Sequence, residues 1–264
     1  MRKHIILLVV LSMPFNSYTQ TSITAIYKKE LLPLQNTSTS IKQKKNARTL
    51  QSMGVKHYRE SISILEDVSF KFITNNQESI FKAQKSGLLE SHVGYKLALT
   101  RGGLNTTGVY YCNEISKKSV HQREVIGQLF LVSQPFNKVK WQLENTTQII
   151  GGFTCLKATA TSIRIDSRGR EHFSYFVAWY TPQIPLTLQP LGYNGLPGLL
   201  VRLEEENKFG GAILSLIKVT QHKKQIKITP PTKGLVMANE KEFEKKGVEM
   251  YKKMRRNRKA RYRN

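Results

Sequence analysis

From Asp67 onward the chain alternates apolar and polar residues with a period of two, in short runs broken by turn signals, and that pattern restricts it to a β-rich fold. Val68, Phe70 and Phe72 fall on one face with Ser69 and Lys71 on the other, and Asn75-Asn76 then signals a hairpin. The alternation returns at Val109 and Tyr111, through Val125 to Val132, and at Val139, Trp141 and Leu143. Phe173 to Tyr180 is apolar on both faces, as expected of a central strand covered on each side. Gly198 to Leu203, Ala212 to Thr220 and Gln225 to Thr229 add three short strands, the last ending at Pro230-Pro231, which cannot continue a ladder. Upstream, Thr21 to Leu31 reads as a strand and Gln35 to Lys45 as a polar loop. Leu50, Met53, Tyr58, Ile62 and Leu65 give residues 47–66 a helical spacing that Gly54 interrupts. The expected architecture is mainly β (α+β): an antiparallel meander forming a curved sheet or half-barrel, with a C-terminal helix and a short N-terminal one.

The C-terminal helix starts from Asn239, with Glu242 three residues on completing a capping box; Phe243, Met250, Tyr251 and Met254 follow at near-helical spacing. It carries a run of cations: Lys252, Lys253, Arg255, Arg256, Arg258, Lys259, Arg261 and Arg263. With 42 basic against 18 acidic residues in all, the protein attracts polyanions, and this run is the expected contact with an anionic surface such as lipid headgroups or an acidic protein. Nucleic acid is not expected, because among these cations only Tyr262 offers a stacking ring.

At the other end, Arg2, Lys3 and His4 precede an unbroken apolar run from Ile5 to Leu11, and Ser17 and Thr19 are the small residues that precede cleavage in a secretory signal. Residues 1–20 therefore read as a signal peptide, residues 21–238 as one β-rich domain, and residues 239–264 as the C-terminal helix and basic tail. The apolar run is about half of the roughly 20 residues that a membrane-spanning helix needs. Export to the periplasm, the outer-membrane periphery or the medium is the expected localisation. Two cysteines, Cys112 and Cys155, could form one disulfide in an oxidising compartment or pack as buried thiols in separate strands.

Catalytic constellations are sparse. The part after residue 20 has five histidines and two aspartates, Asp67 and Asp166, with no HExxH or CxxC spacing, so neither a metal nor a cofactor is expected. His121, His172 and His222 could meet in space, but isolated histidines in such a protein are more often surface or core residues. Ser167-Arg168-Gly169-Arg170 lacks the flanking glycines of a nucleophile elbow. Gly102-Gly103 and Gly151-Gly152 lack phosphate-loop spacing and read as turns.

Between Lys138 and Glu204 the order of motifs resembles the GLPGLI family. Gly195-Leu196-Pro197-Gly198-Leu199-Leu200 matches the run that names it, with Leu200 in place of isoleucine. Trp141-Gln142-Leu143, then Ile149 to Ala158 with its glycine, aromatic, cysteine, lysine and alanine, and Ala178-Trp179-Tyr180-Thr181-Pro182-Gln183-Ile184-Pro185 follow the family order. The departures are a longer basic link from Arg164 to His172, Gln189 where a glycine often precedes the proline, and the cationic extension. The resemblance implies a secreted or envelope-associated bacterial protein, typically from Bacteroidetes, with no assigned catalytic residues.

In Gly195-Leu196-Pro197-Gly198 the proline fixes one backbone angle and the glycines admit angles closed to other residues, so the segment reads as a tight turn with Gly198 at positive φ. It places Leu196 and Leu199, which with Trp179, Tyr180 and Tyr193 either form a core corner or rim an apolar groove for a lipid or peptide. The favoured role is a noncatalytic envelope binding protein. The alternatives are an accessory subunit of an outer-membrane assembly and a hydrolase with an unrecognised site.

Overall fold

The computed structural model describes residues 22–32, 56–57, 59–84, 87, 94–165, 169–207 and 210–261. Residues 1–20 and the loop expected at Gln35 to Lys45 lie outside them, as does the helix expected before residue 56. A helix, α1, covers residues 59–67 and buries Ile64 and Leu65. Among the described residues twelve strands form one sheet, in keeping with the expected β-rich class: β1 (Ser22–Leu31), β2 (Phe70–Thr74), β3 (Glu78–Ala83), β4 (Val109–Asn113), β5 (Lys118–Val125), β6 (Gln128–Gln134), β7 (Gln142–Ile150), β8 (Phe153–Ile165), β9 (Glu171–Thr181), β10 (Leu199–Asn207), β11 (Gly210–His222) and β12 (Leu235–Met237). Two further helices complete the described chain, α2 (Tyr95–Thr100) and α3 (Glu240–Arg261).

The strand order is β12-β6-β5-β4-β3-β2-β1-β11-β10-β9-β8-β7. Two meanders, β2 to β6 and β7 to β11, are thus joined by β1, which pairs antiparallel with β2 on one side and β11 on the other. The one parallel pair, β12 with β6, makes the sheet mixed. Asn75 does the work its turn signal promised: its side-chain oxygen accepts from the backbone N–H groups of Gln77 and Glu78 at 3.2 and 2.8 Å, closing the β2–β3 hairpin.

Three strand expectations need correction. Val125 to Val132 is two strands, because Ile126 and Gly127 take φ of 49° and 76° and turn the chain back on itself. Gln225 to Thr229 is not a strand; Ile226 is tied instead by its N–H to Ser22 Oγ at 2.7 Å and by its carbonyl to Asn75 Nδ2 at 3.2 Å. Phe173 to Tyr180 lies inside the sheet but is covered on one face only. Phe176, Ala178 and Tyr180 are buried, whereas Phe173 and Tyr175 stand exposed on the other side.

The sheet curls strongly. Seven strand-to-strand steps separate β5 from β9, about 34 Å if the sheet were flat. Yet His121 and Arg123 of β5 line the same cavity as His172 and Ser174 of β9. The concave face is filled at one end by side chains such as Phe70, Phe72, Phe81, Leu203 and Leu214. The connection from β9 to β10, residues 182–198, packs into that end as a plug: Ile184, Leu186, Leu188, Leu191 and Leu196 are all buried. Tyr27 reaches it from β1, donating to the carbonyl of Leu200 at 2.7 Å.

Two buried polar side chains hold the plug. Gln189 accepts from the N–H of Leu200 at 3.0 Å and donates to the carbonyl of Gly198 at 2.8 Å. Asn194 accepts from the N–H of Gln189 at 2.9 Å and donates to Phe136 O at 2.9 Å. The two glycines of the motif serve different ends. Gly195 has φ of 99°, whereas Gly198 is not at positive φ, contrary to expectation; a β-carbon there would lie 2.3 Å from Thr181 O. Gly198 is required by close approach of two backbones.

Candidate functional site

The inward face of each strand changes character along its length. β1 buries Ile23, Ala25 and Tyr27, and the same parity then carries Lys29 inside. β8 runs from Ala158 and Ala160 to Ser162 and Arg164, and β10 from Leu203 to Glu205 and Asn207. The apolar ends pack against the plug. The polar ends, together with His121 and Arg123 of β5 and His172 and Ser174 of β9, surround a cavity of about 680 Å³.

Four cations line this cavity, Arg101, Arg123, Lys138 and Arg164, against three carboxylates, Glu205, Glu240 and Glu244. Lys138 is placed deep in it. Its ammonium donates to Leu191 O at 2.6 Å and lies 4.6 Å from the ring centroid of Tyr110 and 5.3 Å from that of Tyr193. Burial pulls its pKa down to about 8, so it stays mostly charged at neutral pH. The His121 ring stacks on Tyr110, centroids 3.7 Å apart, and its Nε2 donates to Thr107 O at 2.8 Å. Burial, with Arg123 and Lys138 nearby, holds this imidazole neutral.

Glu205 Oε1 accepts from Ser174 Oγ at 2.8 Å and Asn207 Nδ2 at 3.2 Å, and burial raises its pKa. Lys29, buried behind the cavity, donates to the carbonyls of Leu99 and Leu104 at 2.9 and 2.6 Å. Desolvation lowers its pKa from 10.5 to about 7. Between pH 7 and 10.5 the unfolded chain then binds more protons at Lys29 than the folded one, so stability rises with pH across that window. The slope from this one group is at most about 1.4 kcal/mol per pH unit. Chemical denaturation at pH 7, 8 and 9 is expected to show the rise, and Lys29→Met to reduce it, the remainder above pH 8 coming from Lys138; an identical slope in the variant would contradict the assignment.

α3 closes the mouth. The capping box forms as its residues predict: the N–H of Glu242 donates to Asn239 Oδ1 at 2.9 Å and the N–H of Ala238 to Glu242 Oε2 at 2.7 Å. That fixes a first turn whose Glu240 meets Arg123 Nη2 at 2.5 Å and Gln134 Nε2 at 3.0 Å. One turn on, Glu244 meets Arg164 at 2.7 Å. Between them Phe243 packs edge-to-face on Phe130 and under the Arg123 guanidinium, 3.8 Å from its ring centroid. Half-exposed ion pairs of this kind contribute about 0–1 kcal/mol, whereas burying a phenylalanine contributes about 1.5–3 kcal/mol. Phe243, with Met250 packed partly buried against the same cluster, and two partly exposed ion pairs therefore hold the helix down.

Of the five residues expected to rim a groove, only Tyr193 lies at this cavity. Tyr180, Leu196 and Leu199 are fully inside the core, and Trp179 lies on the opposite face of β9, half-buried. These five do not form one groove, because strand parity sends Trp179 away from the others. Pro197 and Gly195 sit in the plug. His121 and His172 both line the cavity; His222 is bonded to Thr24 at 3.0 Å at the far end of the β1–β11 pair. Asp67 ends α1 away from the cavity, and Asp166 and Ser167 lie outside the described residues.

Cys112 and Cys155 are both free and buried, in β4 and β8, so the bridge is not formed; Cys112 Sγ lies 3.4 Å from Ser119 Oγ. Lys252, Lys253, Arg255, Arg256 and Arg258 lie on the exposed length of α3 beyond the cavity, while the side chains of Lys259 and Arg261 and all of Arg263 fall outside the described part. The cationic and acidic lining was missed in the sequence, where its signal was strand parity: charged residues standing at inward positions.

A family described as "Protein of unknown function (Porph_ging)" matches residues 166–202, a stretch that contains both the Ala178 to Pro185 and the Gly195 to Leu200 runs. No curated protein matches the chain. Two solved structures of PNGF-II, in C2 and P21 space groups, are similar at TM-scores of 0.42 and 0.38, with 11% and 12% identity over 86% and 80% of this chain. The chain spans 32% and 29% of theirs.

Proposed function

We propose that the chain is exported after removal of residues 1–20 and acts as a noncatalytic binding protein of the GLPGLI type, holding a small anionic ligand in the cavity between β5 and β9. One observation carries this reading: four cations converge on a cavity of about 680 Å³, the size that holds a drug-sized molecule. The proposed binding site is this polar cavity and not the apolar groove expected from the sequence, so acids rather than acyl chains are the proposed cargo. Lys138 is the central anchor, because its ammonium is desolvated by the Tyr110 and Tyr193 rings and gains more from an anion than a surface lysine does. The basic end of α3 serves as the contact with an anionic surface.

Calorimetric titration of citrate into the mature protein tests the reading. Binding is expected, weakened as salt rises because the attraction is screened, and lost in Lys138→Met. Glucose, similar in size and uncharged, is the control. Equal binding of glucose, or no citrate heat at low salt, contradicts the proposal. A second reading, an accessory subunit of an envelope assembly, is favoured by the outer face of the β8–β9 hairpin, which exposes Ile163, Ile165, Phe173 and Tyr175.

A further inference from the structure

Two of the three carboxylates in the cavity come from α3, not from the sheet. Without them the sheet and its loops would present Arg101, Arg123, Lys138 and Arg164 against Glu205 alone, whose burial favours its neutral form. Arg123 on β5 and Arg164 on β8 stand eight strand-to-strand steps apart, yet both are met by carboxylates one helical turn apart. The curl of the sheet has set two arginines at the spacing of a pair of acids.

The pairing at Arg123 is incomplete. Glu240 reaches Nη2 with one oxygen, Oε2, which it shares with Gln134. Arg123 Nε is buried and has no hydrogen-bond partner among the described residues. A carboxylate approaching side-on would engage Nε and Nη2 together, the two-point geometry that arginine favours. Glu240, fixed on a helix by its capping box, does not do so.

We propose that Arg123 and Arg164 form a paired carboxylate-recognition site, occupied by Glu240 and Glu244 of α3 until a ligand bearing two or more carboxylates displaces them. This rests on the anionic-cavity reading and names its ligand class. The helix is suited to release: Phe243 is its buried anchor, and from Tyr251 to Arg258 its side chains are exposed. Its first turns lift away without disturbing the sheet.

The test is calorimetric titration of citrate and of triglutamate into the mature protein and into Glu240→Gln/Glu244→Gln, with amide hydrogen exchange of residues 240–247 followed in parallel. Removing the internal acids removes the occupied state, so the double variant is expected to bind at least about tenfold tighter. Citrate added to the unaltered protein is expected to speed exchange in residues 240–247. Adding Arg123→Lys to the double variant, which keeps the charge but loses the side-on pair of donors, is expected to reverse the gain. Tighter binding of citrate marks a small acid as the ligand, and tighter binding of triglutamate marks an acidic peptide. Unchanged affinity in the double variant, with citrate leaving the exchange of residues 240–247 unaltered, overturns the displacement proposal and leaves the anionic cavity standing. Absence of binding by both acids to both proteins overturns the two together.

Discussion

Gly198→Val is expected to lower the stability of the protein by about 3 kcal/mol or more, beyond the usual cost of overpacking a core. The added β-carbon would lie 2.3 Å from Thr181 O, 2.7 Å from Thr181 C and 3.0 Å from Pro182 Cα. All three are backbone atoms. Thr181 is also the register partner of Leu199, so neither side can retreat without opening the β9–β10 ladder where it enters the plug. Gly195→Ala is the comparison: its φ of 99° strains an alanine by about 1–3 kcal/mol, but the nearest atom to a β-carbon is 3.8 Å away. Urea denaturation of both variants is expected to rank Gly198→Val well below Gly195→Ala. Unfolding midpoints equal to the parent's would show that the two backbones do not meet as described.

Gln189→Leu is expected to cost about 2–5 kcal/mol, with little change in volume. The side chain is buried and bridges the two ends of the plug, accepting from Leu200 N and donating to Gly198 O. Leucine leaves both backbone groups unsatisfied in the core, each at about 1–3 kcal/mol. Gln189→Glu keeps the acceptor for Leu200 N while losing the donor, so it separates the two bonds. Denaturation midpoints measured at pH 5 and 8 are expected to place Gln189→Leu below the parent at both; a leucine variant as stable as the parent would show that Gln189 is not needed to hold the plug.

Much of the fold was legible in the sequence because side chains alternate along a strand whatever the strand is next to. Val68, Phe70 and Phe72 declared a strand, Asn75-Asn76 a hairpin, and Asn239 with Glu242 a helix start, and each depends on neighbours a few residues away. Curl and strand order do not. They come from β1 pairing with β11 about 190 residues later, and no local pattern reports that. The cavity depends on the curl, so its lining was hidden: Arg123, Lys138, Arg164 and Glu205 acquire meaning only when β5 faces β9. Ile126-Gly127 deceived for a related reason, since an isoleucine in an apolar run gives no sign that it will take positive φ. The aromatic residues around the motif were noticed for their type, and the parity that sends Trp179 outward was the signal left unused. Lys29 and Glu205 were readable by the same rule. A charged residue continuing the buried face of a strand marks where that face stops being core.

Native mass spectrometry of the protein, purified gently from the cells that make it, most directly tests whether the cavity holds an anion. The account predicts an adduct of a few hundred daltons, the mass that fits a cavity of about 680 Å³. It should be acidic on extraction, leave at high salt and be absent from Lys138→Met. A neutral acyl lipid retained equally by both proteins, or a bound protein partner with the cavity empty, would contradict it.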